Sequence, residues 1–132
     1  MDHENRNEIS GRILGCAYQV MNTLGVGFLE KVYENALAFE LRRCGLQVIQ
    51  QKPLNVYYEG VVVGEYVADL LVENAVIVEL KVAKVLDDAH VAQCVNYLKA
   101  TGLELALLLN FATREVGVRR VIRSRNQSGR NQ

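Results

Sequence analysis

Apolar residues in this chain recur first with the period of a helix and then with the period of a strand. Ile9, Ile13, Cys16, Ala17, Val20 and Leu24 fall on one face of a helix predicted over about 8–24. Gly25-Val26-Gly27 stops it, glycine being suited to the left-handed residue after a helix. A second helix is predicted over about 29–44, with Val32, Tyr33, Ala36, Leu37 and Leu41 inward and Gly45 as its stop. Residues 46–51 then read as a strand closed by Pro53, the only proline. Residues 54–58 and 61–65 read as a hairpin turning at Glu59-Gly60, with Gly64 marking a bulge. Residues 66–82, YVADLLVENAVIVELKV, read as two strands joined near Glu73-Asn74. A helix opens at Asp87 or Asp88 and closes at Gly102, striped by Val91, Cys94, Val95 and Leu98. A buried strand over 103–111 and a weaker, edge-like strand over 116–122 finish the chain. The prediction is one α/β domain over 1–132, with flexible ends at about 1–7 and 124–132.

Into the strands at 66–82 are set Asp69, Glu79 and Lys81. Both faces of both strands are otherwise Val, Ile and Leu, the pattern of strands covered on each side. Charge in such a place is costly unless paired or holding a metal. Glu79 and Lys81 share one strand face, and Asp69 joins them only if position 69 lies opposite position 79. A two-residue turn would oppose Asp69 to Val78 and break the set. A three-residue loop, Glu73-Asn74-Ala75 with Asn74 near the left-handed region, or a bulge, restores it. Two carboxylates and a lysine around one point suit a hard cation such as Mg²⁺, which is held by one or two carboxylates plus substrate phosphate. A lysine there can position or deprotonate an attacking water. A buried ion pair that merely tolerates its surroundings is the competing reading, and the spacing leaves both open.

Other polar residues have two readings each. Glu30 lies in the first turn of the second helix, where the helix dipole favours a carboxylate. Tyr33 and Glu34 follow one turn on, Tyr33 as core. Tyr57 and Tyr58 read as half-buried sheet residues before they read as platforms for bases. His90, Gln93 and Tyr97 form a polar stripe on the helix that follows the Glu79-Lys81 strand, so Gln93 and Tyr97 could orient water, lysine or substrate. Arg114, Arg119, Arg120, Arg123, Arg125 and Arg130 form the only basic concentration, against Glu115 alone. A solvated tail is one reading and phosphate contact the other.

Length and charge set bounds. With 132 residues, half of them apolar, the chain can bury about two-thirds of its unfolded surface. Fifteen basic residues balance fifteen acidic ones, so no global basic field draws in nucleic acid. Cys16, Cys44 and Cys94 lack zinc spacing and imply free thiols in a reducing compartment. The polar MDHENRNEIS start lacks the apolar core of a signal peptide, and the apolar runs are too short to span a bilayer. The expectation is a soluble, cytoplasmic protein without a membrane partner.

Gly27, Glu30 and Tyr33 read G-x-x-E-x-x-Y. With Asp69, Glu79-Leu80-Lys81 and Gln93-x-x-x-Tyr97, the chain resembles the GxxExxY family, a bacterial and archaeal group within the PD-(D/E)xK nuclease superfamily. The resemblance runs from about Glu8 to Ile122. It implies a restriction-endonuclease-like core, a central mixed sheet flanked by helices. It also implies that Asp69, Glu79 and the Leu80 carbonyl bind Mg²⁺ or Mn²⁺, that Lys81 activates water, and that Glu30 reaches the metal or its water shell. Gln93 and Tyr97 match the extra motif of the helicase-associated exonuclease branch, where they support the lysine and substrate. Ala68 stands where the superfamily name has proline, which has no role in the chemistry. Lys84 adds charge where relatives often carry an acid.

The residues admit two functions. The first is a metal-dependent nuclease acting on DNA more readily than RNA, with a homodimer plausible for cutting two strands. The second is a catalytically silent module of the same fold that binds nucleic acid, a small ligand or a protein.

Overall fold

The computed structural model describes residues 3–123. Its elements are α1 (His3–Leu24), α2 (Glu30–Arg43), β1 (Val48–Tyr58), β2 (Val61–Val72), β3 (Val76–Lys81), α3 (Asp88–Thr101), β4 (Leu105–Asn110) and β5 (Gly117–Ile122). The end at 124–132, with Arg125 and Arg130, lies outside the described residues. At the other end, 3–7 belong to α1. Arg6 lies 3.1 Å from Glu104 at the start of β4, a long-range tether that local periodicity does not display.

The five strands form one sheet in chain order, β1-β2-β3-β4-β5. Only β3 and β4 are parallel, and α3 makes the crossover between them. Helices cover both faces. Leu70, Val72, Val76, Val78, Leu80, Leu105, Leu107 and Leu109 pack with Ile13, Val20, Leu37 and Leu41 of α1 and α2. Leu71, Ile77, Ala106, Leu108 and Val121 pack with Cys94, Tyr97 and Leu98 of α3. Double coverage explains why β3 and β4 are apolar throughout instead of alternating.

Three local features bring the charged side chains of the sheet together. First, the expected strand at 46–51 and the first arm of the hairpin are one strand, β1, which runs through Pro53. Pro53 pairs with Val67 and sits on an edge strand, where a missing N–H interrupts no second ladder. Likewise 61–65 and 66–72 are one strand, β2, reached through a tight turn with φ of 52° at Glu59 and 80° at Gly60. The bulge expected at Gly64 falls beside it, since Val56 pairs with Gly64 but Tyr57 with Val62.

Second, β2 and β3 are joined by the three-residue loop Glu73-Asn74-Ala75. Glu73 and Asn74 have φ of 54° and 53°, and the Ala75 N–H donates to the Val72 carbonyl at 3.0 Å. The register is Val72↔Val76, Leu71↔Ile77 and Leu70↔Val78, so its continuation sets 69 against 79.

Third, the alternation of β2 slips by one residue at Asp69. Leu70 and Val72 face α1 and α2, whereas Ala68 and Leu71 both join the α3 side. On β1 the slip is matched at Gln51, whose φ is 54°. Gln50 pairs with Leu70 and Lys52 with Ala68, leaving 51 and 69 out of the ladder.

Candidate active site

Beyond Leu70↔Val78, β2 and β3 part, and their acidic side chains fill the fork. The Asp69 N–H donates to Glu79 Oε2 at 2.7 Å. The Leu80 N–H donates to Asp69 Oδ2 at 2.9 Å. Each carboxylate thus satisfies a backbone donor that the separated strands can no longer pair. Register and loop together bring Asp69 and Glu79 to one point, as the spacing required. Lys81 follows at the end of β3, half-buried and opposite Asn110 of β4. The Asn110 amide clamps the chain leaving Lys81, donating to the Ala83 carbonyl at 2.8 Å and accepting from the Ala83 N–H at 3.1 Å.

Glu30 opens α2 and arrives at the same place. Its carboxylate feels Lys81, Asp69 and the nearby Val82 N–H. Tyr33 fixes this helix start. Its ring is fully buried and stacked on Phe111 at 5.0 Å. Its hydroxyl donates to the Gly25 carbonyl at 2.6 Å and accepts from the Phe28 N–H at 3.2 Å. The tyrosine is therefore core, and it shapes the loop that presents Glu30.

From the other face comes α3. Its start is closed by Asp87, whose carboxylate accepts from the His90 N–H at 3.1 Å, while the His90 ring accepts from the Asp87 N–H at 3.2 Å. His90 therefore caps the helix. Tyr97 is buried and donates to the Val67 carbonyl at 3.1 Å, two residues from Asp69. Gln93 lies one turn earlier, half-buried.

Electrostatics at the fork favour neutralisation of the acids. Burial, then the neighbouring Asp69, push the Glu79 carboxyl up to about 8. Burial raises Asp69 as well, opposed by the Leu80 N–H. Burial raises Glu30, opposed by Lys81. Burial and the charges of Glu79 and Asp69 also raise the Tyr97 hydroxyl, so it stays a donor. An excess of carboxylate oxygen over ammonium, partly shielded from water, is a donor set that suits a hard divalent cation. Among the described residues no group of three or more His, Cys, Asp or Glu side chains is placed to hold a metal ion. Asp69 and Glu79 are two carboxylates at one point, and one or two carboxylates are what usually hold Mg²⁺ when water and phosphate complete its shell.

Two further residues, neither given a site role by the sequence, belong to the network. Glu34 is buried and accepts from Lys31 Nζ at 3.2 Å and from Gln50 Nε2 at 2.9 Å. Gln51 Nε2 donates to both Glu34 oxygens at 3.1 Å and lies 3.4 Å from Asp69 Oδ1. The pair ties α2 to Asp69 across β1. The i, i+4 spacing of Glu30 and Glu34 was the available signal for Glu34. Nothing local marks Gln51.

The arginines are scattered. Arg120 donates to Ser10 Oγ at 3.2 Å and Asn7 Oδ1 at 3.3 Å, fastening β5 to α1. Arg123 donates to the Leu103 carbonyl at 3.2 Å, at the far end of the sheet from Lys81. Arg119 is exposed on the edge strand. Arg114, in the β4–β5 turn, borders a shallow cavity with Met21, Asn22, Gly25 and Val26. Lys84 is exposed in the connector before α3.

Comparison with known proteins agrees with this fold. A family model described as the PD-(D/E)XK nuclease superfamily matches residues 7–121. No curated protein and no solved structure gives a significant match.

Proposed function

Because the chain belongs to the PD-(D/E)XK nuclease superfamily, we propose that it is a metal-dependent nuclease that hydrolyses phosphodiester bonds of DNA at the fork between β2 and β3. The observation that carries this reading is the crossed pair of hydrogen bonds that gathers Asp69 and Glu79 where the ladder ends. Asp69, Glu79 and the Leu80 carbonyl would hold Mg²⁺ or Mn²⁺, with Glu30 beside them. When bound there, such a cation would supply Lewis acidity and offset the repulsion among the carboxylates.

The chain's own groups do the rest. Lys81, on the strand face of Glu79, orients the attacking water and offsets charge that develops on the phosphate. Glu30 holds water against Lys81. Tyr97 acts through the backbone, by holding the Val67 carbonyl and so the strand that carries Asp69. Gln93 supports Lys81 and substrate. Glu34 and Gln51 position Asp69. Gly27, Glu30 and Tyr33 support placement in the GxxExxY group, and Gln93 with Tyr97 support the link to the exonuclease branch. Arg114, at the rim of its shallow cavity, and Arg119, exposed on the edge strand, are the candidates for weak phosphate contacts. Arg120 and Arg123 are chiefly structural. A homodimer would give two sites for two antiparallel strands, and a cytoplasmic setting fits three free thiols.

One observation favours a second reading. Asp69 and Glu79 already have backbone N–H partners, so they have a structural use without any metal, as in a catalytically silent module that binds nucleic acid, a small ligand or a protein. The experiment incubates labelled single- and double-stranded DNA, and matching RNA, with Mg²⁺, Mn²⁺ or chelator. Wild type is run beside Lys81→Ala and Asp69→Ala, with folding checked by circular dichroism. Metal-dependent cleavage lost in both variants supports the nuclease. Equal background in all three proteins leaves the silent module.

A further inference from the structure

Far from the fork, two thiols face each other. Cys16 of α1 and Cys44 at the C-cap of α2 lie with their sulfurs 3.7 Å apart, although 28 positions separate them in sequence. Cys16 is buried and Cys44 is exposed. A disulfide holds its sulfurs at about 2.0 Å, so closure asks less than about 2 Å of movement. Cys44 is placed to make it. It has left the regular helix, with φ −81° and ψ 2°, and is followed by Gly45 at φ 90°. The Arg12 guanidinium donates to the Cys44 carbonyl, so α1 already holds this end of α2 in place.

We propose that Cys16 and Cys44 are a dithiol–disulfide pair, a site of reversible oxidation by small-molecule disulfides that staples α1 to the end of α2. The exposed Cys44, as thiolate, attacks one sulfur of the small disulfide, forming a mixed disulfide and releasing one small thiolate. Cys16, as thiolate, then attacks the Cys44 sulfur and expels the second. The two protons given up by the protein thiols end on the two small thiols, and the two electrons reduce the small disulfide. Burial and the Cys44 thiol push Cys16 up to about 11, which makes the second step the slower one. Cys94 is buried on the α3 side of the sheet and serves as an internal control.

The test treats the full-length reduced protein with oxidised glutathione, quenches with an alkylating agent in denaturant, and reads intact mass and a non-reducing peptide map. Wild type and Cys94→Ser should form the Cys16–Cys44 crosslink, with Cys94 of wild type still alkylated. Cys16→Ser should stop at a stable mixed disulfide on Cys44, and Cys44→Ser should form no crosslink. The oxidised wild type should melt on the order of 10 °C higher and revert with reductant. Alkylation of all three thiols, a mixed disulfide on Cys44 that persists in wild type, or a crosslink through Cys94 would overturn the proposal. None of these readouts depends on nuclease activity.

Discussion

Glu79 carries the sharpest residue-level consequence. Its carboxyl is raised to about 8 in the fold against an ordinary 4.5. A raised acid leaves stability intact below its unfolded value and removes it as pH rises through the folded value. Metal-free protein should therefore lose stability between about pH 5 and pH 8. Glu79→Gln keeps an oxygen to accept from the Asp69 N–H but cannot ionise. In thermal melts with chelator, the variant should gain on wild type as pH rises from 5 to 8.5, while losing cleavage. A gap that does not change with pH would mean that Glu79 is not strained by its charge. Gln51 gives a second prediction. Gln51→Ala removes the link between Glu34 and Asp69, and should raise the Mn²⁺ concentration for half-maximal cleavage by about 10–100-fold, as losses of ligand-orienting contacts do. An unchanged titration curve would reduce Gln51 to a packing residue.

At the scale of elements, the loop between β2 and β3 decides the site. Glu73 and Asn74 both take positive φ, the conformation that a three-residue connection needs here. Asn74→Gly should be neutral or slightly stabilising. Asn74→Val should cost about 1–2 kcal/mol relative to it, read by urea denaturation. Equal stabilities would remove the strain argument. The loop was legible in the sequence because a charged trio and the period of two leave few registers. The slip at Asp69 and Gln51 was not, because a positive φ at a glutamine inside a strand is imposed by tertiary hydrogen bonds. Pro53 misled for a related reason. It reads as a strand end, yet an edge strand tolerates it.

The described residues form a sheet with helices on both faces, and their buried carboxylates, Glu34 and Glu79, both belong to the network around Asp69. Apolar periodicity revealed the element order and most of the core, since Ile13, Leu37 and Leu107 have no other use. It could not place the arginines, whose partners are remote in sequence: Arg120 reaches Ser10, and Arg6 reaches Glu104. Leu107 is fully buried in β4, an interior strand of the sheet. Leu107→Ala should cost about 2–5 kcal/mol in chemical denaturation, and a loss below about 1 kcal/mol would contradict a close-packed core at this position.

The nuclease reading depends above all on Asp69 and Glu79 sharing one divalent cation. Calorimetric titration of Mn²⁺ into the full chain at pH 7.5 measures this directly. Binding should be saturable, should weaken toward pH 6 as protons compete for the carboxylates, and should be lost in Asp69→Asn with its fold intact. Binding of equal strength in wild type and Asp69→Asn would contradict it.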